Sequence, residues 1–531
     1  MIKTITSLLL CFTVTYQIFG QNFNLELQSN ILQGEDCSDV WGFVDSSGIE
    51  YAVIGTRSSA KIYSLEDPKN PILRYTAPGA RSIWRDMKFY NNHIYVTQDQ
   101  DTFGLTIIDV SQAPDSISHT QWKPQLTIGN NNARFLRAHN LYIDEKGFAY
   151  ISGHNLSRRG VMILDLNVDP KEPILVSAVD GFYSHDAYVQ DDILYSSELS
   201  NGFGIYDVSN KFVPIELGRG RSGNNFTHNA WLSDSTKILF TTDEVASGYV
   251  ESYDVSDPAN IKYLDRYKTN AGNTRVIPHN AHVKGDYVVT SWYTDGVIIN
   301  DVSDPSNIVK VGGFDTYTGA IPASGSLFLG CWGAYPFLPS GLILASDINT
   351  GLYVFKPTYV KAAYLTGNIY EREKGSTGPG TPLTGARVQI LQSDVDKFLN
   401  DNQYKLGITP DSIIQVVFKH PNYPSDTIEI NLSAGTTDTF DYYFEREIMT
   451  DVEDLNLKPS IYLFPTATTD QLTIVGDVYA QKYEVINLAG ALIQSGVLKS
   501  NNLEVRNLPS GYYFLKIKIE SEFVVMPFYK E

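Results

Sequence analysis

The sequence predicts an all-β protein in which a seven-bladed β-propeller, residues 22–357, precedes two small β-sandwich domains. Two marks recur seven times along the first two thirds of the chain: a polar pair and a hydrophobic run that usually ends in Asp. The polar pairs recur every 43 to 54 residues, a period typical of four-stranded propeller blades. Tyr (34) and Phe (25) far outnumber Met (5), and this composition favours strands over helices.

The polar pairs mark the first strand of each predicted blade. They begin at Asp39, Arg85, His139, His185, His228, His279 and Trp332. The hydrophobic run of each repeat ends 22 to 26 residues later. Alternating and β-branched runs between Gly, Asp and Pro turns predict antiparallel strands. The Asp-Val-Ser-Asp-Pro element at 254–258 and 301–305 is interpreted as a turn in which Asp accepts local backbone hydrogen bonds.

The seventh repeat lacks an outer strand, because its pattern stops at Lys356-Pro357. An unclosed ring would leave two sheet edges exposed. Residues 23–28 alternate polar and apolar side chains, so we expect them to supply the outer strand of the seventh blade. The long segments 113–137 and 317–330 are expected to decorate one face as loops.

The N-terminus and the charge limit where the protein acts and what it binds. Residues 1–21 are interpreted as a signal peptide, with Lys3 ahead of a mostly apolar run at 5–19. No later run approaches the ~20 apolar residues that span a bilayer, so no transmembrane segment is predicted. The net charge of -19 argues against nucleic acid or an anionic membrane as partner. We therefore expect a protein that is secreted or held at the cell surface.

Signal removal would leave two cysteines, Cys37 and Cys331, just ahead of the first and seventh polar pairs. A disulfide between them is one option, because ring closure would make those repeats neighbours in an oxidising compartment. Two separate buried thiols are the other option, since inner strands of adjacent blades are often too far apart for a disulfide.

The repeat stops near residue 360. Short predicted strands at 413–419 and 427–432 indicate a β-sandwich at 361–447, and an acidic linker is predicted at 448–457. Strands predicted at 471–475, 483–487, 502–505 and 512–519 indicate a second sandwich at 458–531.

The propeller region resembles the secreted choice-of-anchor B family, which is built from LVIVD-type repeats. The residues that carry this resemblance are Asp39-Val40-Trp41-Gly42, Ser82-Ile83-Trp84-Arg85-Asp86, Ala138-His139-Asn140-Leu141-Tyr142, Ser184-His185-Asp186, Thr227-His228-Asn229-Ala230-Trp231 and Trp332-Gly333-Ala334-Tyr335-Pro336-Phe337. The family brings no settled activity. Its resemblance implies a propeller whose attachment to the cell depends on a C-terminal device.

The two C-terminal regions also resemble known domains. The middle region is similar to carboxypeptidase regulatory-like domains through Leu365-Thr366-Gly367 and the run at 382–388, which implies an accessory sandwich. The last region resembles the C-terminal sorting domain of type IX secretion through Leu463-Phe464-Pro465 and the run at 508–514. That resemblance implies recognition by the type IX machinery and export across the outer membrane of a Bacteroidetes-type bacterium.

The polar pairs are the candidate functional site. In a propeller they would lie at one mouth of the central channel, so the candidate ligand-binding residues are Asp39, Arg85, His139, His185, Asp186, His228, His279 and Trp332. We favour a structural role, in which His and the following Asn or Asp make hydrogen bonds between blades. A polar ligand is the second interpretation. A transition metal held by His139, His185, His228 and His279 is the third, and Arg85 in the same ring opposes it.

The function that these patterns favour is an exported binding or interaction module, with an extracellular protein or glycan as partner. No cofactor is predicted. No nucleophile elbow, His-Glu-x-x-His helix or phosphate loop is present, so an enzyme is not favoured and no catalytic residue is assigned. Two alternatives stay open: an extracellular hydrolase or oxidoreductase acting at the channel mouth, and a structural component of the surface layer.

Overall fold

The computed structural model describes residues 22–446 and 461–531, apart from 235, 271–272, 320–325, 392, 394, 410–412, 477, 520 and 521. The predicted signal peptide and acidic linker lie outside these residues. The described residues divide into two compact units, 22–446 and 461–531. The described residues contain strands and one 3-10 turn, Tyr293–Asp295, but no α-helix, so the predicted all-β class is confirmed.

Residues 25–357 form seven four-stranded antiparallel sheets. The strand that begins the chain is β1 (Leu25–Ile31). Sheet one contains β2 (Cys37–Val44), β3 (Glu50–Thr56), β4 (Ser59–Ser64) and β5 (Ile72–Pro78), and sheet two contains β6 (Met87–Tyr90), β7 (His93–Val96), β8 (Leu105–Gln112) and β9 (Ser116–Trp122). A separate hairpin of β10 (Gln125–Ile128) and β11 (Asn131–Arg134) follows. Sheet three contains β12 (Asn140–Ile143), β13 (Phe148–Ser152), β14 (Val161–Asp165) and β15 (Ile174–Val179).

Sheets four to six follow the same order, and the seventh has three strands of its own. These strands are β16 (Asp186–Gln190), β17 (Ile193–Ser197), β18 (Phe203–Asp207), β19 (Ile215–Gly220); β20 (Thr227–Leu232), β21 (Ile238–Asp243), β22 (Val250–Asp254), β23 (Lys262–Tyr267); β24 (Pro278–Lys284), β25 (Tyr287–Trp292), β26 (Gly296–Asp301), β27 (Val309–Phe314); and β28 (Cys331–Tyr335), β29 (Ile343–Asp347), β30 (Gly351–Pro357). The segment 113–137, expected as a loop, instead supplies β9 and the extra hairpin.

The N-terminal strand completes the seventh sheet. Strand β1 pairs antiparallel with β30, in a register that places Leu25 opposite Pro357 and Ile31 opposite Leu352. Phe23 forms an isolated bridge to Gly313 of the sixth sheet. The prediction that the first residues after the leader supply this strand is confirmed, with the strand running three residues further than the predicted 23–28.

Neighbouring sheets pack face to face through their hydrophobic side chains. The first strands contact one another in the order β2, β6, β12, β16, β20, β24 and β28, and β28 also contacts β2. Hydrophobic clusters lie between successive sheets, and another joins the seventh sheet to the first. Both faces of the inner strands are therefore largely buried, whereas outer strands such as β5 and β19 keep exposed side chains.

The acidic elements between strands are turns, as predicted. The carboxylate of Asp254 accepts a hydrogen bond from Ser256 N at 3.0 Å, and Asp257 accepts one from Ala259 N at 3.1 Å. Asp301 accepts from Ser303 N at 2.8 Å in the same way. These local bonds satisfy backbone groups where the ladder ends.

Residues 363–446 form two facing sheets around their own hydrophobic core. The strands are β31 (Ala363–Glu373), β32 (Thr381–Pro382), β33 (Arg387–Ile390), β34 (Asp396–Phe398), β35 (Gln403–Ile408), β36 (Ile413–His420), β37 (Tyr423–Asn431), β38 (Thr437–Thr439) and β39 (Tyr442–Arg446). The sandwich contacts the sixth of the seven sheets, where Ala362 N donates to Asp301 Oδ2 at 2.7 Å and Thr409 Oγ1 donates to Lys310 O at 2.7 Å.

The second unit also contains two sheets around a separate core. Its strands are β40 (Tyr462–Phe464), β41 (Ala467–Thr468), β42 (Gln471–Val475), β43 (Lys482–Asn487), β44 (Leu492–Val497), β45 (Asn502–Glu504), β46 (Gly511–Ile519) and β47 (Glu522–Lys530). All four strands predicted in this region are present.

Candidate functional site

The candidate histidines are placed by β-bulges at the start of the inner strands. His139 N donates to Ser152 O at 3.0 Å, while the next residue, Asn140, pairs with the same Ser152 in the ladder. His185 N donates to Ser197 O at 2.7 Å, and its neighbour pairs with that serine too. Strands β20, β24 and β28 shift register at the equivalent place. A bulge redirects the extra residue, which explains how two consecutive polar side chains face the interior.

The four imidazoles lie side by side in one row. Ring centroids are 4.0 Å apart between His139 and His185, 4.2 Å between His185 and His228, and 4.5 Å between His228 and His279. The indole of Trp332 continues the row at 4.7 Å from His279. The structure therefore brings together the side chains that the repeat alignment placed at equivalent positions.

Three of the four histidines hold a fixed acceptor at Nδ1. The Nδ1–H of His139 donates to Asp99 Oδ2 at 2.9 Å. That of His185 donates to Asp186 Oδ1 at 2.9 Å, and that of His279 donates to Trp332 O at 2.5 Å. Carboxylate and carbonyl oxygens only accept hydrogen bonds, so Nδ1 carries the proton and Nε2 keeps its lone pair in the neutral ring.

The fourth histidine faces a glutamate. His228 Nε2 lies 3.5 Å from Glu244 Oε2, and His279 Nε2 lies 3.8 Å from Glu244 Oε1. The Tyr293 hydroxyl donates to Glu244 Oε1 at 2.6 Å and holds the carboxylate in place. His228 Nδ1 is buried without a hydrogen-bond partner among the described residues and lies 4.0 Å from Asp186 Oδ2.

Glu244 and Asp99 were not predicted from the sequence. They lie just past the second strands of their sheets, β21 and β7. Glu244 lies two residues after Thr242, and Asp99 lies two residues after Thr97. Each of these threonines faces the polar pair of its sheet across the ladder. Tyr293 holds the same place after Ser291 in the sixth sheet. The signal was present in the repeat, but it shows only once the hairpin pairing is known.

Burial keeps most of this cluster uncharged. Burial and neighbouring imidazoles lower the pKa of His185 and His228, and burial lowers the pKa of His279 to about 3. Burial also opposes protonation of His139, but the Asp99 carboxylate outweighs it and raises the pKa of that histidine. Burial raises the pKa of Glu244 to about 7, with the Tyr293 hydrogen bond acting against it.

A second ring of polar side chains links neighbouring sheets. Asn140 Nδ2 donates to Asp86 Oδ2 at 2.6 Å, and Asn229 Nδ2 donates to Asp186 Oδ2 at 3.1 Å. Asn229 Oδ1 in turn accepts from Ala281 N at 3.1 Å. The predicted hydrogen bonding between repeats is confirmed for this second residue of the pair, and also for His139 and His279, which donate to Asp99 and Trp332 of neighbouring sheets.

Asp39 belongs to this second ring and not to the histidine row, so its predicted placement was wrong by one residue. Val40 pairs with Ile54 in the position that Ala230 holds opposite Thr241, which makes Asp39 equivalent to the residue after each histidine. Burial and the adjacent Asp86 raise its pKa well above the ordinary value. The spacing of the repeats placed Asp39 at the histidine position. The register of the ladder shows that it is equivalent to Asn229 instead.

Arg85 turns away from the histidines. Its guanidinium donates to Thr56 O at 3.0 Å and to Gln98 Oε1 at 2.6 Å, and also to the carbonyl of Ala80. The cation is only 2% exposed and is held by neutral acceptors between the first two sheets.

An aromatic layer lies along the inner strands, two residues beyond the second ring of polar side chains. Its members are Trp41, Tyr142, Tyr188, Trp231, His282 and Tyr335, with Lys88 at the seventh position. Tyr188 packs on Trp231 at 4.3 Å, and Trp41 packs on Tyr335 at 4.5 Å, measured between ring centroids. The Lys88 ammonium lies 4.3 Å from the Trp41 ring centroid. The structure fills this level with aromatic rings.

A small cavity, which we call the polar cup, lies between the histidine row and the second ring. The residues that line it are Asp39, Trp84, Arg85, Asp86, His139, Asn140, Asp186, His228, His279, Asn280 and Trp332. The centre of a water molecule can occupy about 20 Å³ of it, which is room for one ordered water or ion. All the predicted ligand-binding candidates except His185 line this one cavity.

The structure contradicts the disulfide option, because Cys37 and Cys331 are both free and buried. Cys331 packs with side chains between the sixth and seventh sheets, whereas Cys37 packs between the seventh and the first. The seventh sheet thus separates the two thiols. Burial raises the pKa of Cys37 to about 12 and that of Cys331 well above its ordinary value, so both stay protonated.

His154, a buried histidine outside the histidine row, should make stability depend on pH. Its Nδ1 accepts from Leu156 N at 3.2 Å, and burial lowers its pKa to about 4, with Asp180 and Arg159 as nearby charges. The unfolded chain binds a proton below about pH 6.5, and the folded chain only near pH 4, so stability falls as pH falls through this window.

Between pH 7 and pH 5 the difference in His154 protonation between the folded and unfolded chain should lower the free energy of unfolding by about 2 kcal/mol. The free energy of unfolding of the wild type should therefore drop more over that interval than that of His154→Gln. Equal pH slopes for the two proteins would contradict the assignment.

Two parts of the chain match known families. Residues 462–528 match the secretion system C-terminal sorting domain, and residues 279–316, which include His279, match the LVIVD repeat. None of the curated proteins matches the chain. Among solved structures, the computationally designed Ika8 protein is similar over 62% of this chain and 99% of its own, at 10% identity and a TM-score of 0.41, which is too low to support an argument.

The sorting domain settles localisation. The protein is exported by type IX secretion to the cell surface or the medium, and its last domain interacts with that machinery. Within the described ranges there is no helix long and apolar enough to cross a membrane. The predicted localisation is confirmed.

Proposed function

We propose that this protein is a binding module displayed outside the cell, built on a closed seven-bladed β-propeller whose ligand site is the polar cup. The observation that carries the proposal is the convergence of histidines and carboxylates on one small cavity backed by an aromatic layer. Buried polar groups are costly unless they are satisfied, so a cavity lined by so many of them favours a ligand that completes their contacts.

Closure of the propeller is supported by the packing. Strand β1 fills the fourth place in the seventh sheet, and hydrophobic clusters run between all neighbouring sheets. We assign the propeller to the choice-of-anchor B type and the sandwich at 363–446 to the carboxypeptidase regulatory-like type, on the residues that resemble them. The sandwich would then be an accessory domain fixed against one blade.

Binding is favoured over nucleophilic catalysis by the surroundings of the imidazoles. In the part of the chain that the structure describes, no hydroxyl or thiol side chain hydrogen-bonds to the imidazole ring of His139, His185, His228 or His279. A serine, threonine or cysteine nucleophile needs such an adjacent base. The partner, an extracellular protein or glycan, would place only a small polar group in the cup.

An extracellular hydrolase is the second candidate, and one observation favours it. Glu244 Oε2 lies 3.5 Å from His228 Nε2, and burial raises the pKa of Glu244 to about 7, which suits a general base that works near neutral pH. This role would require a substrate atom or an activated water beside Glu244.

The proposal is tested by measuring thermal unfolding of the purified full chain with defined probes, namely oligosaccharides and short peptides with free amines. We expect at least one probe to raise the melting temperature, because a ligand that binds only the folded state stabilises it. His139→Gln should remove the shift, and His119→Gln, a histidine outside the cup, should retain it. No shift with any probe, or a shift unchanged in His139→Gln, would overturn the proposal.

A further inference from the structure

We propose that His185, His228 and Glu244 form a binding site for a divalent transition-metal ion of the zinc class. The inference rests on the proposed function, because His228 belongs both to this cluster and to the lining of the polar cup, whereas His185 and Glu244 lie beside the cup. One nitrogen of each imidazole and one oxygen of the carboxylate lie within 4.8 Å of one another. Zinc binds such ligands at about 2.0 to 2.2 Å, so the three groups would close by roughly an ångström around the ion.

The hydrogen bonds of the row orient the imidazoles for metal binding. His185 gives its Nδ1–H to Asp186 at 2.9 Å, which leaves Nε2 with the lone pair. Metal-bound histidines usually donate their other ring N–H to a carboxylate or a backbone carbonyl in this way. His279 has the same arrangement with Trp332 O at 2.5 Å and could complete the coordination from the next sheet.

His228 supplies the observation that points to a missing ligand. It is 2% exposed, its Nδ1 has no hydrogen-bond partner among the described residues, and its Nε2 faces Glu244 Oε2 at 3.5 Å. An ion between Nε2 and Oε2 would bring the two groups together. Nδ1 would then carry the proton, with Asp186 Oδ2 at 4.0 Å as the nearest carboxylate oxygen.

Glu244 is the better carboxylate ligand of the two in the cluster. Asp186 also groups with His139 and His185, but its two oxygens already accept from His185 Nδ1 and Asn229 Nδ2. It is therefore an orienting group. Glu244 is anchored through Oε1 by the Tyr293 hydroxyl at 2.6 Å, which leaves Oε2 directed at His228.

The chemistry of the ligand set selects the class of ion. Two imidazoles and one carboxylate suit zinc and neighbouring first-row metals, whereas oxygen-only sites suit calcium and magnesium. Three protein ligands leave a fourth position for water or for a ligand atom. The basic side chains of Arg85 and Lys88 do not occupy the site, because Arg85 donates to Thr56 O and Gln98 Oε1, and Lys88 Nζ donates to Asp86 Oδ1 at 2.5 Å.

The test is a calorimetric titration of the chelator-treated full chain with Zn²⁺, repeated with Co²⁺ to record its visible absorption. We expect one ion per chain and a Co²⁺ spectrum with nitrogen and oxygen ligands in tetrahedral or five-coordinate geometry. His228→Ala should weaken Zn²⁺ binding at least 100-fold, and Asp186→Asn should weaken it about 10- to 100-fold through loss of the orienting contact.

Controls separate metal binding from folding. Glu244→Gln keeps the side-chain volume and should lose the ion while retaining the far-ultraviolet circular dichroism of the wild type. His154→Gln removes a buried imidazole outside the cluster and should bind Zn²⁺ as the wild type does. Absence of Zn²⁺ binding, or binding unchanged in both His228→Ala and Glu244→Gln, would overturn the inference. If a peptide or oligosaccharide still bound at the cup, the proposed function would survive that result.

Discussion

A chain from which residues 22–31 are deleted, with the leader joined to residue 32, should unfold at a much lower urea concentration than the full chain. The deletion removes the whole ladder between β1 and β30 and the buried side chain of Leu25. We expect a loss of roughly 5 kcal/mol, at the upper end of what single structural lesions cost, because both packing and backbone hydrogen bonds disappear.

The deletion should also promote association. Strand β30 would become an exposed edge, and an unpaired edge is a template for pairing with another chain. Glu26→Ala, an exposed change in the same strand, is the matched control and should alter stability by less than about 0.5 kcal/mol. A deleted chain that stays monomeric with an unchanged urea midpoint would contradict the role given to β1.

A chain that ends at Arg446 should fold but should not reach the cell surface or the medium. Residues 462–528 carry the sorting domain, and they form a unit with its own hydrophobic core. The first unit keeps all seven sheets and the sandwich after this truncation. We therefore expect it to accumulate in the periplasm with the melting temperature of the first unit unchanged.

The measurement is immunodetection in periplasmic, surface and medium fractions of the secreting bacterium. Leu515→Asp tests the same point in the full-length chain, because Leu515 is fully buried in the second unit and a charge there should unfold it. Lys518→Asp, on an exposed position of the same strand, is its control. Normal surface delivery of the truncated chain would show that export does not depend on this domain.

The repeat pattern predicted the main architecture because it follows the backbone directly. Each polar pair starts an inner strand and each Asp-closed run is a third strand, so the spacing located all seven sheets. The missing outer strand of the seventh repeat was also visible, since β-strands must pair. The prediction fails at positions where strand pairing, and not residue type, determines which residues are equivalent.

The site could be predicted only in part. Equivalent positions indicated that His139, His185, His228 and His279 meet, and they do. The register of a bulge cannot be found from one sequence, so Asp39 was assigned to the wrong ring. The direction of a long side chain is also a matter of packing, and Arg85 found its carbonyl acceptors on the far side of its strand.

Contributions from other strands were the largest omission. Glu244 completes the site from the end of β21, and nothing in its own neighbourhood distinguishes it from other acidic residues that follow strands. The aromatic layer was missed for a different reason. Most of its members are aromatic residues at alternating strand positions, which the pattern assigns to the cores between sheets. In the structure their rings pack on one another from one inner strand to another.

The central claim is that the polar cup is where this protein binds its ligand. The most direct measurement is a crystal structure of the secreted protein with the probe that gives the largest thermal shift. We predict density for the probe inside the cavity, above the aromatic layer, or density for an ion between His228 and Glu244 beside the cavity. Density for the probe on the outer strands or loops, with only water in the cup, would contradict the claim.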